Sequence, residues 1–144
     1  MTERRLTLGS GVEAAIRTHG QQTYPHECCG ALVGRGNHVS TAVALENTTE
    51  EGPRRRFLVR ASDYREAERR AVELGGELLG FYHSHPDHPA RPSQYDREHA
   101  WPWYSYIIVS VAKGKAQEMT SWRLSDDRSE YACEEITMRD SAAR

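Results

Sequence analysis

The sequence predicts an α+β protein: a mixed, bent β-sheet flanked by helices. Two observations carry this. Stretches that read as strands alternate irregularly with stretches that read as helices, so the regular repeat of a doubly wound parallel sheet is absent. The most apolar stretch, residues 104–111, has the length of a strand and belongs in the middle of a sheet. No internal repeat and no linker divides the 144 residues, so 1–138 is expected to be a single domain with a core of its own, and 139–144 a disordered tail.

Taken in order, Arg5-Leu6-Thr7-Leu8 reads as a short edge strand. Ser10 and Glu13 have the spacing of a capping box and open a helix through Ala14, Ala15, Ile16 and His19, with Gly20 as its stop. Residues 27–33 and 39–45 read as strands joined at Gly34-Arg35-Gly36-Asn37, a hairpin signal. A polar loop at 47–53, the run Arg54-Arg55-Arg56 and a short strand at 57–59 follow; the arginines suit a solvated turn better than an acidic partner. Ser62-Asp63 opens a second helix with Tyr64, Ala67, Ala71 and Leu74 on one face and Arg65, Glu66, Glu68, Arg69 and Glu73 on the other. Gly75-Gly76 ends it, and residues 77–82 form a short buried strand. A short helix spans 93–100, closed by Trp101-Pro102-Trp103. Residues 117–124 and 131–138 read as later strands or a hairpin.

The chain is organised around Gly80-Phe81-Tyr82-His83-Ser84-His85-Pro86 and the following Pro92-Ser93-Gln94-Tyr95-Asp96. Residues two apart on a strand point to one face, so His83 and His85 project side by side with Ser84 turned away. Pro86 has no N–H for the ladder and ends it. Residues three apart on a helix share a face, so Ser93 and Asp96 can meet the histidines if the loop between folds back. Two imidazoles and one carboxylate, His83, His85 and Asp96, make a catalytic zinc set with one position left for water. Each half has a plainer account: a lone His-x-His is weak, and Ser-x-x-Asp is also an ordinary capping box. Their combination at short distance is what points to a metal.

Composition narrows the class. A formal net charge of −2 gives no field favouring nucleic acid or an anionic membrane, and charged residues, 28% of the chain, are interspersed as on a soluble surface. No apolar run approaches the ~20 residues of a membrane helix. The charged N-terminus is not followed by an apolar signal segment, so a cytoplasmic location is expected. Cys28, Cys29 and Cys133 are an odd number, two of them adjacent, which argues for reduced thiols rather than a disulfide framework. Small buried strand residues are the plainer reading of Cys28 and Cys29; a nucleophile beside a histidine is the functional one.

His83-Ser84-His85-Pro86, with Ser93 and Asp96, resembles the signature of the JAMM (MPN-plus) zinc metalloproteases, the class that includes metal-dependent deubiquitinases. The family pattern also has a glutamate upstream, and Tyr24-Pro25-His26-Glu27-Cys28-Cys29-Gly30 before the apolar 31–34 matches it. The resemblance spans roughly residues 5–125. It implies a sheet like that of the cytidine deaminases, although their own zinc signature is absent. It also implies roles: a zinc ion (Zn2+) on His83, His85 and Asp96, Glu27 as general base and later proton donor to the leaving amine, and Ser93 helping to stabilise the oxyanion. From the residues alone, Glu77 and Glu98 rival Glu27 as base. Ser84 reads as structural, and His26, His88 and His99 as exposed or supporting.

Deubiquitinating members carry insertions that grip ubiquitin, whereas the loop after Leu45 is modest and the segment after Asp96 is tight. The resemblance is therefore to minimal prokaryotic members that cut after the Gly-Gly end of ubiquitin-like sulfur-carrier proteins and release an amino acid or short extension. The carrier's tail would lie extended along a sheet edge, with Trp101, Trp103 and Tyr82 as candidates to line its path. Two alternatives stand beside this: a non-catalytic scaffold for a ubiquitin-like partner, and a zinc hydrolase of a small amide.

Overall fold

The computed structural model describes residues 5–45 and 61–138. The expected loop at 47–53, the arginines 54–56, the strand at 57–59 and the tail 139–144 lie outside them.

Among the described residues seven strands form one mixed sheet in the order β1-β3-β2-β4-β5-β6-β7, closed on itself. The α+β class and the mixed sheet are as expected; the closure is not. β1 (Arg5–Leu8) is no edge strand: it runs parallel to β3 (His38–Leu45) on one side and to β7 (Tyr131–Met138) on the other. The reason lies in its two leucines. Leu6 and Leu8 are both buried, and neighbours on both flanks keep them so.

α1 (Val12–Thr23) packs across one face of the sheet, burying Val12, Ile16 and Gly20 at a spacing of four. Two expectations about it fail. The Ser10–Glu13 capping box does not form, because Gly11 takes the N-cap in the left-handed conformation (φ 84°) and no side chain caps the helix. Glu13 pairs instead with Arg17 at 2.8 Å. Gly20 is not the stop either; the helix runs on to Thr23. Its missing side chain lets α1 approach the sheet, since a Cβ there would lie 3.1 Å from Val111 Cγ2 and 3.5 Å from Ser84 Cβ.

β2 (Cys29–Arg35) and β3 form the expected hairpin, with Gly36 in the left-handed region. α2 (Ala61–Glu73) covers the opposite face through Ala67, Ala71 and Tyr64, whose ring meets Phe81 edge-on. It ends as the Gly-Gly pair predicted: Gly75 at φ 76° donates to Val72 O and Gly76 donates to Ala71 O, the paired bonds that close a helix end. Leu74, expected on the apolar face, is 48% exposed because it lies beyond the helix end, where the chain turns.

β4 (Glu77–Pro86) is central, antiparallel to β2 and parallel to β5 (Ser105–Ala112). It contains both histidines before Pro86 ends it, as the alternation reading requires. β5 is buried over nearly all its length, as its composition requires, and β6 (Lys115–Leu124) pairs antiparallel with β5 and β7. Two apolar clusters result. One, with Leu8, Ile16, Cys28, Tyr82 and Val109, fills the space under α1; the other, with Cys29, Ala71, Phe81 and Tyr106, lies on the opposite face. No helix of the described residues is long and apolar enough to cross a membrane.

Candidate metal centre

β4 sets the two histidines by alternation. From Phe81 onward its odd positions face the side covered by α2, so His83 and His85 project together while Tyr82 and Ser84 face the side of α1. Tyr82 is therefore core, its hydroxyl 2.7 Å from His19 Nδ1, and does not line a substrate path. Both histidines are buried, at 2% and 8% exposure.

The loop after β4 folds back, as the third donor requires, and is tied down along its length. Asp87 N donates to Val111 O, Ser110 Oγ donates to His88 O, and Thr120 Oγ1 donates to Ala90 O. The Asp87 carboxylate accepts from Tyr24 Oη at 2.6 Å and from Lys113 N at 2.8 Å. These ties bring α3 (Gln94–His99) over the histidines. Its N-cap is Ser93, whose hydroxyl accepts from Asp96 N at 3.0 Å while Ser93 N donates to Asp96 Oδ2 at 2.8 Å.

The same Asp96 oxygen, Oδ2, lies 3.2 Å from His85 Nε2, and Oδ1 lies 3.4 Å from His83 Nε2. Capping and metal binding are thus not competing uses of Ser93-x-x-Asp96: one carboxylate does the first while aimed at the second. The two Nε2 atoms are 3.2 Å apart. A tetrahedral ion held at about 2.05 Å sets neighbouring donors about 3.3 Å apart. The 3.2 Å between the imidazoles fits two ligands of one such ion. The Asp96 carboxylate faces both, Oδ2 toward His85 at 3.2 Å and Oδ1 toward His83 at 3.4 Å, with one ligand atom from each of the three residues within 4.8 Å of the others. The donor chemistry, two imidazoles and one carboxylate, is that of a catalytic zinc site with an open position.

A main-chain group absent from any motif orients one ligand. His85 Nδ1 lies 2.9 Å from Pro89 O. A carbonyl only accepts, so Nδ1 carries the hydrogen and Nε2 presents its lone pair to the centre. Nothing in the sequence signals this, since any residue at 89 has a carbonyl. Burial lowers the basicity of His85, but the Asp96 carboxylate outweighs it and the pKa lies above the ordinary value. Burial likewise raises the Asp96 carboxyl, and the two imidazoles more than reverse that, holding it far below the usual carboxylate range.

Glu27 precedes β2 and is 6% exposed. Cys28 and Ser84 are paired by main-chain and side-chain hydrogen bonds, and Cys29 lies opposite His83. Cys28 belongs to the cluster under α1 and Cys29 to the cluster on the opposite face, while Glu27 stands two residues before the strand begins. Glu77 stands at the far end of β4 from His83, and Glu98 is exposed and accepts from Gln94. His26 and His88 are exposed; the side chain of His99 is outside the description. Cys28 has no nucleophile's character, since burial pushes its thiol up to about 11. Trp101 and Trp103 are exposed at 43% and 60%, stacked at a tilt just after α3.

Residues 10–125 match the family of prokaryotic homologues of the JAB domain. The chain is 33% identical to desampylase from Haloferax volcanii over 117 residues, 76% of this chain and 84% of that protein. It resembles the solution structure of a protein from Salinibacter ruber at 41% identity, with a TM-score of 0.75 over 96% of this chain and 95% of that one. It shares the fold of a JAB1/MPN domain protein from Archaeoglobus fulgidus, at 16% identity and a TM-score of 0.60 over 92% and 99% of the two chains.

Proposed function

This chain belongs to the prokaryotic homologues of the JAB domain, and we propose that it is a zinc-dependent isopeptidase acting after the C-terminal Gly-Gly of a ubiquitin-like sulfur-carrier protein. The observation that carries the reading is the convergence of His83 Nε2, His85 Nε2 and the Asp96 carboxylate at 3.2–3.4 Å. The relation to desampylase supports the hydrolase class.

When bound, zinc supplies a water of lowered pKa, about 7, and polarises a carbonyl. The chain's own groups do the rest. Glu27 takes the proton of the attacking water as oxygen adds to the amide carbon, then gives it to the amine as the C–N bond breaks. The Ser93 hydroxyl already accepts from Asp96 N, so its own hydrogen can donate to the oxygen that gains charge. Pro89 O keeps His85 in the tautomer that offers Nε2.

For the extended tail, the sheet offers a place. Among the described residues β3 meets β1 only at His38 and Val39, so its later residues have a strand partner on the β2 side. Leu45, Cys29 and His83 form one row across β3, β2 and β4, which sets that edge about 10 Å from the histidines. A strand added there delivers its end toward the metal centre.

The test uses purified protein and a ubiquitin-like carrier extended beyond Gly-Gly by one amino acid or by an isopeptide-linked lysine, read by mass spectrometry. Cleavage is expected with zinc, is abolished by a chelator, and falls about 10²–10⁴-fold in E27Q while zinc affinity is retained. Chelator-insensitive cleavage, or an undiminished E27Q, overturns the mechanism. Cleavage of a small acyl-lysine amide in preference to the carrier adduct overturns the substrate class.

A further inference from the structure

We infer that Arg128 and Tyr131, at the β6–β7 connection, are positioning residues that hold α3, and with it Asp96, at the metal centre. The inference rests on the reading of His83, His85 and Asp96 as metal ligands.

α3 has six residues, too few to persist by its own hydrogen bonds. Its first turn is capped by Ser93 and Asp96 themselves. Its last carbonyls need donors from elsewhere. Arg128 supplies them: Nη1 donates to Ala100 O at 2.9 Å and Nη2 to Glu98 O at 3.3 Å. A guanidinium at a helix C-terminus also faces the negative end of the helix dipole. Tyr131 Oη donates to the carbonyl of Asp96 itself at 3.3 Å. All three bonds go to main-chain oxygens, so they place the helix backbone directly.

The platform beneath Arg128 is stiff. Arg128 sits at φ 65°, a conformation only glycine adopts freely. It is held there by Arg128 N donating to Ser125 O and Ser125 N donating to Glu130 O. The Asp127 carboxylate gathers Ser125 Oγ, Ser129 N and Ser129 Oγ, and those donors lower its pKa to about 2. Hairpin loops commonly place one residue in this conformation, most often a glycine. Here it aims a guanidinium at α3. Two of the three ligands sit on β4, in the centre of the sheet, whereas the third rides on a short helix reached through a loop. Asp96 is therefore the donor whose position depends on outside support.

The test compares R128G, R128K and Y131F in the full chain. Glycine relaxes the φ of 65° while removing the side chain, so a purely structural role and a positioning role move different readouts. For R128G the melting temperature of the metal-free protein is expected within a few degrees of wild type. Zinc affinity, from competition with a chromophoric chelator, falls about 10–100-fold, and the absorption of the cobalt-substituted protein shifts. R128K recovers part of the affinity, since an ammonium reaches one carbonyl but not two. Y131F loses affinity by a smaller factor. Folded R128G and Y131F with wild-type zinc affinity and a wild-type cobalt spectrum overturn the inference. If wild type takes up no zinc, the metal reading itself fails and this inference falls with it. If wild type binds and the variants match it, only the positioning role fails.

Discussion

Ser84 and Cys28 exchange two hydrogen bonds between β4 and the start of β2: Ser84 Oγ accepts the Cys28 N–H at 2.8 Å, and Ser84 N donates to Cys28 O at 3.2 Å. The segment that carries Glu27 is thereby fastened to the histidine strand at the residue between the two histidines. S84A leaves a buried N–H without its acceptor, which costs about 1–3 kcal/mol. The melting temperature should fall by several degrees. Turnover should fall further than stability suggests, by up to about 10²-fold, because Glu27 shifts against ligands that keep their own supports. Melting, zinc competition and kcat on one preparation check this; unchanged kcat in S84A would show that the clamp does not place Glu27.

Two glycines separate tolerable from intolerable crowding. A Cβ at Gly80 would lie 1.9 Å from Ser105 O, main chain against main chain across β4 and β5, where neither strand can withdraw without losing its ladder. G80A is expected to destabilise by about 3 kcal/mol or more, or to abolish soluble expression. At Gly20 the nearest atom is a side-chain methyl, Val111 Cγ2, at 3.1 Å, and alanine gains about 1 kcal/mol of helix propensity. G20A should therefore melt within a few degrees of wild type. A mild G80A or a severe G20A contradicts the packing described.

The pH dependence of stability should reverse sign with metal. In the metal-free protein burial lowers the His85 pKa and the Asp96 carboxylate more than restores it, so the folded value lies above the unfolded one. Such a group stabilises fully below the unfolded pKa, about 6.5, and the contribution is lost as pH rises through the folded pKa. Asp96 is depressed, so its contribution is present above about pH 4 and constant in this window. Metal-free protein should melt lower at about pH 8.5 than at about pH 6. With zinc the slope inverts, because imidazoles must lose their protons to bind it. Parallel melts with chelator and with zinc decide the matter, and equal slopes would be the contrary result.

Thiol chemistry should report the two faces of the sheet. Cys28 and Cys29 are buried at 2% and 1% exposure, and burial pushes the Cys28 thiol up to about 11. Cys133 is exposed, with a pKa raised by partial burial and by Glu134 and Glu118. Iodoacetamide on folded protein should modify Cys133 alone, more slowly than a free thiol, and all three only after denaturation. Early modification of Cys28 in peptide mapping would contradict this.

The sequence showed those parts of the site that depend on short-range geometry. Strand alternation pairs His83 with His85, and helical spacing pairs Ser93 with Asp96. It presented capping and metal binding at Asp96 as alternatives because spacing does not reveal that one carboxylate has two faces. The support for the site was hidden for the opposite reason. Pro89 acts through a carbonyl that every residue possesses, and Arg128 and Tyr131 lie far along the chain from the helix they touch. In the fold, the errors fall where one local signal lost to a stronger neighbour or to a distant contact. Ser10 has the right spacing for a cap, but the left-handed Gly11 turns the chain first. Gly20 resembles a stop and is instead a point of close approach to Val111. Four residues of β1 carry too little pattern to announce two partners.

That small strand also has a temporal consequence. Its neighbours on the two sides are made at very different times, β3 soon after it and β7 after all the other strands of the sheet. Without β7 the sheet cannot close, although the imidazoles and Asp96 all precede it in the chain. Contacts spanning so much sequence make for slow folding, about milliseconds to seconds in domains of this kind. The hoop shuts only when its last stave arrives.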